Sequence, residues 1–343
     1  MVRDTLSERE QLVLSVLVRA HVEVGGPVGS GTLLERESFE CSPATIRKTL
    51  ASLEEKGFVS QPHTSAGRQP TNKGYRLFVE ESVNSAPADG PSIGLVRRQL
   101  EGALQEVAAN HISADEIHVQ LAQIIGGLSM QLGLFLAPRF EQGKLQSLEL
   151  VRLTDRRLLM VVTLTQGPVK GLVIEVGSSV DNEAVVGVCS RLNEKLAGLT
   201  MEEIGNTVRE RVGDFPGEPE LLKVVVDEIE SIGVPITERL HVAGARNICV
   251  QPEFRDSLQV ADVLNLVEHK EMLVDLLSRR HGVVVTIGDE NEPAELRLCS
   301  LVTASFEVDG ATGVLGVMGP TRMDYDQVVA LVDYVATRAP DLV

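Results

Sequence analysis

The chain has 343 residues, of which 43% are hydrophobic, 24% charged and 3% aromatic, and its formal net charge is −17 at pH 7. This length and composition support two or three hydrophobic cores and exclude an intrinsically disordered protein. No apolar run approaches the roughly 20 residues that cross a bilayer, and the first residues lack a secretory pattern, so we expect a cytoplasmic protein.

The first predicted element is a helix that begins after Ser7. Ser7 and Glu10 have the spacing of a capping box, in which each side chain binds the other residue's backbone N–H. A Gly-Gly-Pro break at 25–27 ends this region, and a short second helix is predicted through residues 32–35. The apolar face of the first helix comprises Leu12, Val13, Val16, Leu17 and Ala20.

A third helix is predicted at residues 43–56, after a turn at 38–41. Its apolar stripe consists of Ile46, Leu50 and Leu53, at positions i, i+4 and i+7. At its start, Ser42 can cap the helix and Pro43 suits the first helical position. At its end, Gly57 can take the left-handed conformation that stops a helix.

The opposite side of this helix carries small and basic residues. At 100° per residue, Ala44 and Lys48 lie nearly opposite the apolar stripe, with Thr45 and Arg47 on its flanks. Short side chains let a helix approach the floor of the DNA major groove, and cations bind phosphates or guanine edges. The pattern therefore fits a DNA recognition helix, although an ordinary amphipathic surface helix has the same period.

The sequence after this helix is typical of a wing. Residues 58–61 form a predicted strand, a polar loop at 62–70 can turn at Gly67, and residues 75–79 return to the core. Together with the three helices, these elements predict a winged helix-turn-helix at residues 1–80.

Charge separates this region from the remainder of the chain. Residues 1–80 hold ten acidic and ten basic side chains, so the whole charge of −17 lies beyond them. Residues 41–79 hold six basic against two acidic side chains, and screening limits the reach of each charge to about 8 Å. Contact with nucleic acid is therefore expected only at this basic face. The six are Arg47, Lys48, Lys56, Arg68, Lys73 and Arg76.

A linker rich in proline, glycine and small polar residues is predicted at 81–92, which would let the DNA-binding module move relative to the body. The rest of the chain is predicted to form one sheet domain at 93–197 and 246–343, interrupted by a helical insertion at 198–245. Helices are predicted at 93–109, 114–126, 182–197, 201–212, 219–232 and 260–280. Strands are predicted at 132–136, 145–153, 158–164 and 169–176, as an antiparallel meander, and at 283–287, 295–308 and 313–318.

The last predicted helix follows a turn at Gly319-Pro320. Asp324 and Gln327 have capping-box spacing, and Met323 with Val328 can form a hydrophobic staple. This tail motif is therefore interpreted as structural.

No pattern in the chain indicates catalysis, a cofactor or a metal. The four cysteines, at 41, 189, 249 and 299, show no metal or disulfide spacing and are expected to be reduced and mostly buried. The histidines at 111, 118, 241, 269 and 281 share no ligand spacing and are expected at the surface or as caps. Phosphate-binding glycine motifs are absent from the sequence, so an enzyme is not expected.

Seven short motifs follow one another in a characteristic order. They are Pro27-Val28-Gly29-Ser30, Ser42-Pro43-Ala44-Thr45-Ile46-Arg47, Leu53-Glu54-Glu55, His63-Thr64-Ser65, Gly67-Arg68, Gly74-Tyr75-Arg76 and Gly319-Pro320-Thr321-Arg322-Met323-Asp324-Tyr325. In these motifs the chain resembles the bacterial heat-inducible transcription repressor (HrcA) family, with Gly31 and Lys48-Thr49 as departures from its usual residues.

The resemblance implies an α+β multidomain protein with a winged helix, a GAF-like antiparallel sheet domain and an inserted α/β dimerising domain. It also implies a homodimer that represses chaperone operons at the inverted-repeat CIRCE operator, is supported by the GroE chaperonin and releases DNA on heating. A metabolite-gated winged-helix repressor, with a ligand in the GAF-like domain, is the alternative. The candidate DNA-binding residues are Ser30, Thr32, Ser42, Ala44, Thr45, Arg47, Lys48, His63, Thr64, Ser65, Arg68, Lys73 and Arg76.

Overall fold

The structure is a computed structural model of the chain. It combines helices with antiparallel sheets. The residues that it describes are 6–37, 39, 41–63, 66–85, 98, 100–105, 114–138, 144–165, 169–178, 180–213, 219–232, 239–254, 257–308 and 311–342.

Four helices and a two-stranded antiparallel sheet form the N-terminal module. The capping box of the first helix is confirmed, because the Glu10 carboxylate accepts from Ser7 N at 2.8 Å and Glu10 N donates to Ser7 Oγ. Leu12 is 48% exposed, so its predicted place on the buried face is wrong. The elements are α1 (Glu8–Val24), α2 (Ser30–Arg36), α3 (Pro43–Glu55), β1 (Val59–Ser60), β2 (Gln69–Pro70) and α4 (Asn72–Ser85).

The predicted linker begins later than residue 81. Helix α4 continues through Ser85 and is held by tertiary packing, with Phe78 and Val79 buried. Such packing can keep a helix formed through residues whose own helix propensity is low. The remaining linker residues, 86–92, lie outside the described residues. Of the helix predicted at 93–109, residues 98 and 100–105 are described and are helical.

A five-stranded sheet, in the order β7-β3-β10-β9-β8, forms the centre of a second part of the chain, which we call the sheet domain. Strand β3 lies inside this sheet, paired antiparallel with β7 and β10, so its predicted place in the meander is wrong. All five β3 residues are buried, which suits a strand between two neighbours and two covered faces. The strands are β3 (Leu132–Leu136), β7 (Leu240–Ala243), β8 (Val283–Ile287), β9 (Cys299–Val308) and β10 (Ala311–Pro320).

The sheet domain differs from prediction in its helices and at one turn, and the helix at Ala245–Cys249 was not predicted. The helix predicted at 260–280 is broken at His269, whose backbone (φ −95°, ψ 75°) leaves the helical range. The predicted turn at Gly319-Pro320 is instead the end of β10, and the chain bends after it. The helices are α5 (Ala114–Ser129), α9 (Ala245–Cys249), α10 (Ser257–Glu268), α11 (Lys270–Ser278) and α12 (Tyr325–Arg338).

The chain divides into two compact units, and the boundary differs from the predicted insertion at 198–245. Residues 137–239 and 307–313 form the smaller unit, and the N-terminal module and the sheet domain share the larger one. The smaller unit begins earlier because its three strands bury their inner side chains against its own helices. Its elements are β4 (Leu145–Arg152), β5 (Arg157–Leu164), β6 (Val169–Glu175), α6 (Asn182–Leu196), α7 (Met201–Val212) and α8 (Pro219–Ile232).

Burial corrects two expectations about chemistry-bearing side chains. The four cysteines were expected to be mostly buried, but only Cys299 is. All four are free thiols. His118 is buried, with its ring stacked on Phe135 at 5.0 Å between centroids, and so is not a surface histidine. Among the described residues, no three His, Cys, Asp or Glu side chains are grouped to hold a metal ion, and no helix is long and apolar enough to cross a membrane.

Candidate DNA-binding surface

Helix α3 is fixed at both ends by the residues that the sequence predicts. Ser42 Oγ accepts a hydrogen bond from Thr45 N, Pro43 occupies the first helical position, and Gly57 follows the helix with a left-handed backbone (φ +78°). These features satisfy orphan N–H groups at the start and end the helix cleanly. The predicted stripe of Ile46, Leu50 and Leu53 is buried. The helix therefore presents one defined face outward.

The outward face of α3 carries the small and basic residues. Ala44, Arg47, Lys48 and Ala51 are all exposed, and the two alanines leave space for close approach to a partner. Thr45 is half-buried, and its hydroxyl lies 3.0 Å from Ser42 Oγ. This arrangement fits a helix that inserts its first turns into a groove.

Arg47 and Lys48 are the cations of this face. Arg47 Nε donates to the Pro43 carbonyl at 3.4 Å, which places the guanidinium over the first turn. Within the described part of the chain, neither side chain has an acidic partner. Both charges are therefore available to a bound polyanion.

Two other basic side chains of the region are held by acidic ones. Lys56 Nζ lies 2.7 Å from Glu10 Oε1, and its hydrogen bond contributes most to holding the pKa of the Glu10 carboxyl at about 2. Arg68 Nη2 lies 2.9 Å from Glu54 Oε2, and the Arg68 side chain is 21% exposed. These pairs join α3 to α1 and to the wing.

The two basic residues of α4 also have partners inside the protein. Lys73 Nζ donates to the Lys56 carbonyl at 2.9 Å and lies 4.3 Å from the Phe58 ring centroid. Arg76 binds the Glu290 carboxylate and donates to the Val285 carbonyl at 2.7 Å, and this hydrogen-bonded carboxylate raises the pKa of the guanidinium. Such engagement argues against a DNA contact by Arg76.

The wing is attached to the segment before α2. Val28 and Arg68 exchange two backbone hydrogen bonds of 2.8 Å, which extend the β1–β2 ribbon by one bridge. Gly67 lies so close to this bridge that a Cβ there would be 2.3 Å from the Val28 carbonyl oxygen. Only glycine fits that approach.

The wing tip and α2 hold the remaining candidate residues. His63 is exposed, and its carbonyl accepts from Ala66 N at 2.8 Å, which closes the tip. Thr64 and Ser65 lie outside the described residues. Ser30 and Thr32 are half-buried in α2.

Replacing Gly67 by alanine is expected to displace the wing, because the new methyl group meets backbone atoms that cannot rotate away. We expect a loss of about 1–3 kcal/mol in unfolding free energy, typical of overpacking. Urea unfolding of the purified variant measures it. The matched control is Gly31→Ala in α2, where nothing lies within 4 Å and alanine should stabilise the helix slightly. Equal stability of the two variants would contradict the wing geometry.

Sequence reasoning missed a buried polar group behind this surface. His21 Nδ1 lies 2.8 Å from Tyr75 Oη, and the guanidinium of Arg322 and the carboxylate of Glu253 act on the imidazole from the sheet domain. Burial above all, with a contribution from Arg322, lowers the pKa of His21 from 6.5 to about 4. The two motifs that contain Tyr75 and Arg322 were the available signal, but nothing in the sequence showed that they meet.

The His21 environment predicts a pH dependence of stability. Because the folded pKa lies below the ordinary value, the unfolded chain binds the proton first, so stability falls as pH decreases from about 6.5 to 4. His21 contributes at most about 1.4 kcal/mol of unfolding free energy per pH unit. Urea unfolding between pH 7.5 and 4.5 measures it, with His21→Gln as the neutral comparison. Identical pH profiles for the two proteins would contradict the assignment.

Comparison with known proteins gives consistent matches over nearly the whole chain. The family model described as "HrcA protein C terminal domain" matches residues 115–329. The chain is 35% identical over 345 residues to "Heat-inducible transcription repressor HrcA" of Chlorobium phaeobacteroides (strain BS1), which covers 97% of each protein. It is 34% identical to the repressor of the same name from Natranaerobius thermophilus, over 97% of this chain and 95% of that protein.

One solved structure shares the fold. A crystal structure of a hypothetical protein matches with a TM-score of 0.73 over 98% of each chain. Its sequence identity of 22% supports a common fold and nothing more specific.

Proposed function

The chain belongs to the HrcA family of heat-inducible transcription repressors, and from this membership we propose that it binds an inverted-repeat operator as a homodimer through helix α3. As a member of that family it is a transcription repressor and not an enzyme. A two-fold dimer presents two recognition helices to a two-fold operator, one for each half-site.

The availability of two cations on α3 carries this proposal. Arg47 and Lys48 lie exposed on the first turns of a capped helix, while Lys56, Arg68 and Arg76 have partners inside the protein. In the proposed complex Arg47 and Lys48 contact guanine edges or phosphates, and Thr45 contacts a base edge or phosphate. Arg68 supports the wing from inside, and the wing tip with His63 approaches the neighbouring backbone.

The proposal gives each part of the fold a role. In the proposal the N-terminal module acts as the winged helix-turn-helix, and the two short antiparallel strands after its third helix support this role. The sheet domain corresponds to the GAF-like domain, with its antiparallel sheet accompanied by helices. The smaller unit is the inserted dimerising domain.

An exposed apolar sheet face in the smaller unit supports its role in dimerisation. The strand register aligns Val151, Leu159 and Val173 in one row on the side of the sheet away from the core. Val173 is 49% exposed and Val169, on the same face, is 62% exposed. Half-exposed β-branched residues grouped on one sheet face are typical of a surface that another protein covers. A second copy of the chain is the partner that a two-fold operator requires.

Introducing a charge on this face should separate the dimer. Val173→Asp is expected to halve the mass measured by light scattering, because a buried unpaired carboxylate is costly. Operator affinity should fall by roughly 10²-fold once two linked half-sites become independent. Val186→Asp is the matched control, since Val186 is exposed on α6 outside the strand face. A Val173→Asp protein that remained dimeric would contradict the assignment of the interface.

Heat release follows in the proposal from marginal stability. A loss of about 1–2 kcal/mol changes the active fraction of such a protein several-fold. A chaperonin of the GroE type, acting in the cytoplasm where the operators lie, would restore the active fraction when folding capacity is free.

The deciding experiment measures operator binding across temperature with purified protein. Fluorescence anisotropy with an inverted-repeat duplex from a chaperone promoter should show tight binding that falls steeply on heating and recovers with added chaperonin. A scrambled duplex of equal length is the control. Binding that stayed flat on heating but changed with a metabolite would contradict the thermal mechanism and favour a ligand-gated repressor.

A further inference from the structure

We propose that contacts from the C-terminal motif and from strand β8 hold the N-terminal module in one orientation on the sheet domain, and thereby set the half-site spacing that the dimer accepts. The docking contacts are centred on Arg322, Arg76 and Tyr325. The inference rests on the proposed function, because spacing has meaning only for a dimer on two half-sites.

Arg322 joins the end of α1 to the sheet domain. Its Nη1 donates to the Val22 carbonyl at 2.9 Å. Its Nε lies 2.5 Å from Glu253 Oε1, and its Nη2 donates to Glu253 Oε2 at 3.2 Å. Carbonyls in the last turn of a helix lack intrahelical donors and carry the negative end of the helix dipole. Arg322 therefore caps α1 with a cation that a residue of the sheet domain orients.

The Arg322 contact is a bidentate ion pair shielded from solvent. The side chain is 13% exposed, and Glu253 is 27% exposed. Two parallel N–H to oxygen bonds fix the plane of a guanidinium as well as its position. Separation of the module would expose a charge pair and leave the Val22 carbonyl without this donor.

A second anchor lies at helix α4. Arg76 binds Glu290 and the Val285 carbonyl of β8, and Asn72 Nδ2 donates to Asp289 Oδ2 at 3.1 Å. These contacts come from the first turns of α4, which begins after β2. They form a second set of polar bonds between the module and the sheet domain.

A buried aromatic contact lies between the two anchors. Tyr75 of α4 packs against Tyr325 of α12 with ring centroids 5.7 Å apart, and Tyr75 also bonds His21 of α1. Tyr325 is itself held by hydrogen bonds of 2.7 Å with Ser300 and the Thr321 carbonyl. Two polar anchors around a packed core permit neither tilting nor rotation without breaking one of them.

This geometry predicts how the protein responds to operator spacing. In a dimer, a docked module moves only together with the sheet domain of its own chain, whereas a released module can also turn by itself. Moving one half-site by about five base pairs rotates it to the opposite side of the duplex, since one turn is about 10.5 base pairs. A docked module cannot follow that rotation, whereas a released one can.

The test compares full-length proteins on a set of duplexes with the natural spacer and with spacers lengthened by one to five base pairs. Wild-type protein should lose at least tenfold in affinity as the spacer grows. Arg322→Ala and, as a second variant, Glu290→Ala, which removes the carboxylate that binds Arg76, should bind the natural operator more weakly, lose no more than about threefold across the set, and retain wild-type affinity for a single half-site. Arg19→Ala is the matched control, because the Arg19–Asp326 pair also joins the module to α12 but is largely exposed.

Amide hydrogen exchange without DNA provides a readout independent of operator binding. Exchange in the last turn of α1 and in α4 should accelerate in Arg322→Ala and Glu290→Ala, but not in Arg19→Ala. Folded variants that keep the wild-type spacing profile and exchange rates would overturn the proposal, as would a wild-type protein indifferent to spacing. Failure of wild-type protein to bind any duplex would overturn the proposed function, and the exchange rates would then still decide the docking.

Discussion

Replacement of Arg47 by alanine is expected to weaken operator binding by roughly 5- to 150-fold, or about 1–3 kcal/mol, if the guanidinium makes a bidentate base contact. The expectation rests on its exposed position in the first turns of α3 and on its lack of an acidic partner among the described residues. Its hydrogen bond to the Pro43 carbonyl, at 3.4 Å, is long and easily exchanged for a base edge.

Salt titration decides what kind of contact Arg47 makes. If Arg47 contacts a base, Arg47→Ala should lower affinity for the operator far more than affinity for scrambled DNA. If Arg47 contacts a phosphate, the substitution should lower both affinities and reduce the slope of log K against log salt concentration by about one. Arg191→Ala is the matched control, since it removes the same charge from α6, where Arg191 pairs with Glu194. Unchanged operator binding by Arg47→Ala would mean that Arg47 does not contact DNA, and the main support for α3 as the recognition helix would be lost.

Replacement of Tyr325 by alanine is expected to cost about 3–5 kcal/mol of unfolding free energy in the larger compact unit, the range for buried aromatic truncations. Tyr325 is 1% exposed, packs against Tyr75 and bonds both Ser300 and the Thr321 carbonyl. Its loss leaves a cavity where the N-terminal module meets the sheet domain.

Chemical unfolding of wild type, Tyr325→Ala and Tyr325→Phe separates the ring from the hydroxyl. Tyr325→Phe keeps the packing but leaves the fully buried Ser300 hydroxyl short of a partner, for an expected loss of about 1–3 kcal/mol. Tyr334→Phe in the same helix serves as a control, because its hydroxyl contact with Glu101 is only partly buried. Equal stability of Tyr325→Ala and wild type would contradict the buried placement.

Local features of the fold were predictable because neighbouring residues decide them. The capping box of α1, the proline at the start of α3 and the left-handed glycine after it act through bonds that span a few residues. At α12 the predicted box is half formed, since Asp324 Oδ1 accepts from Gln327 N and no reciprocal bond is found among the described residues. Helical and strand periods likewise located the elements of the smaller unit to within one or two residues.

Partners distant in sequence were beyond prediction. Strand β3 has a strongly apolar run that suits any buried strand, and only the assembled sheet selects β7 and β10 as its neighbours. The break at His269 and the continuation of α4 through Ser85 were missed for a related reason, since packing outweighs weak local preference.

The candidate site shows the same division. Sequence alone identified α3 as a capped helix with basic residues on its outward face, in an acidic protein, because charge, capping and period are local properties. Only the tertiary structure decided which of the six basic side chains at residues 41–79 are available to bind DNA. Glu10, Glu54 and Glu290 pair with Lys56, Arg68 and Arg76, and the Lys56 carbonyl accepts from Lys73 Nζ. Arg47 and Lys48 remain exposed. The physical reason is that an ion pair depends on distance in space, and separations of up to 214 residues along the chain become a few ångströms only after folding.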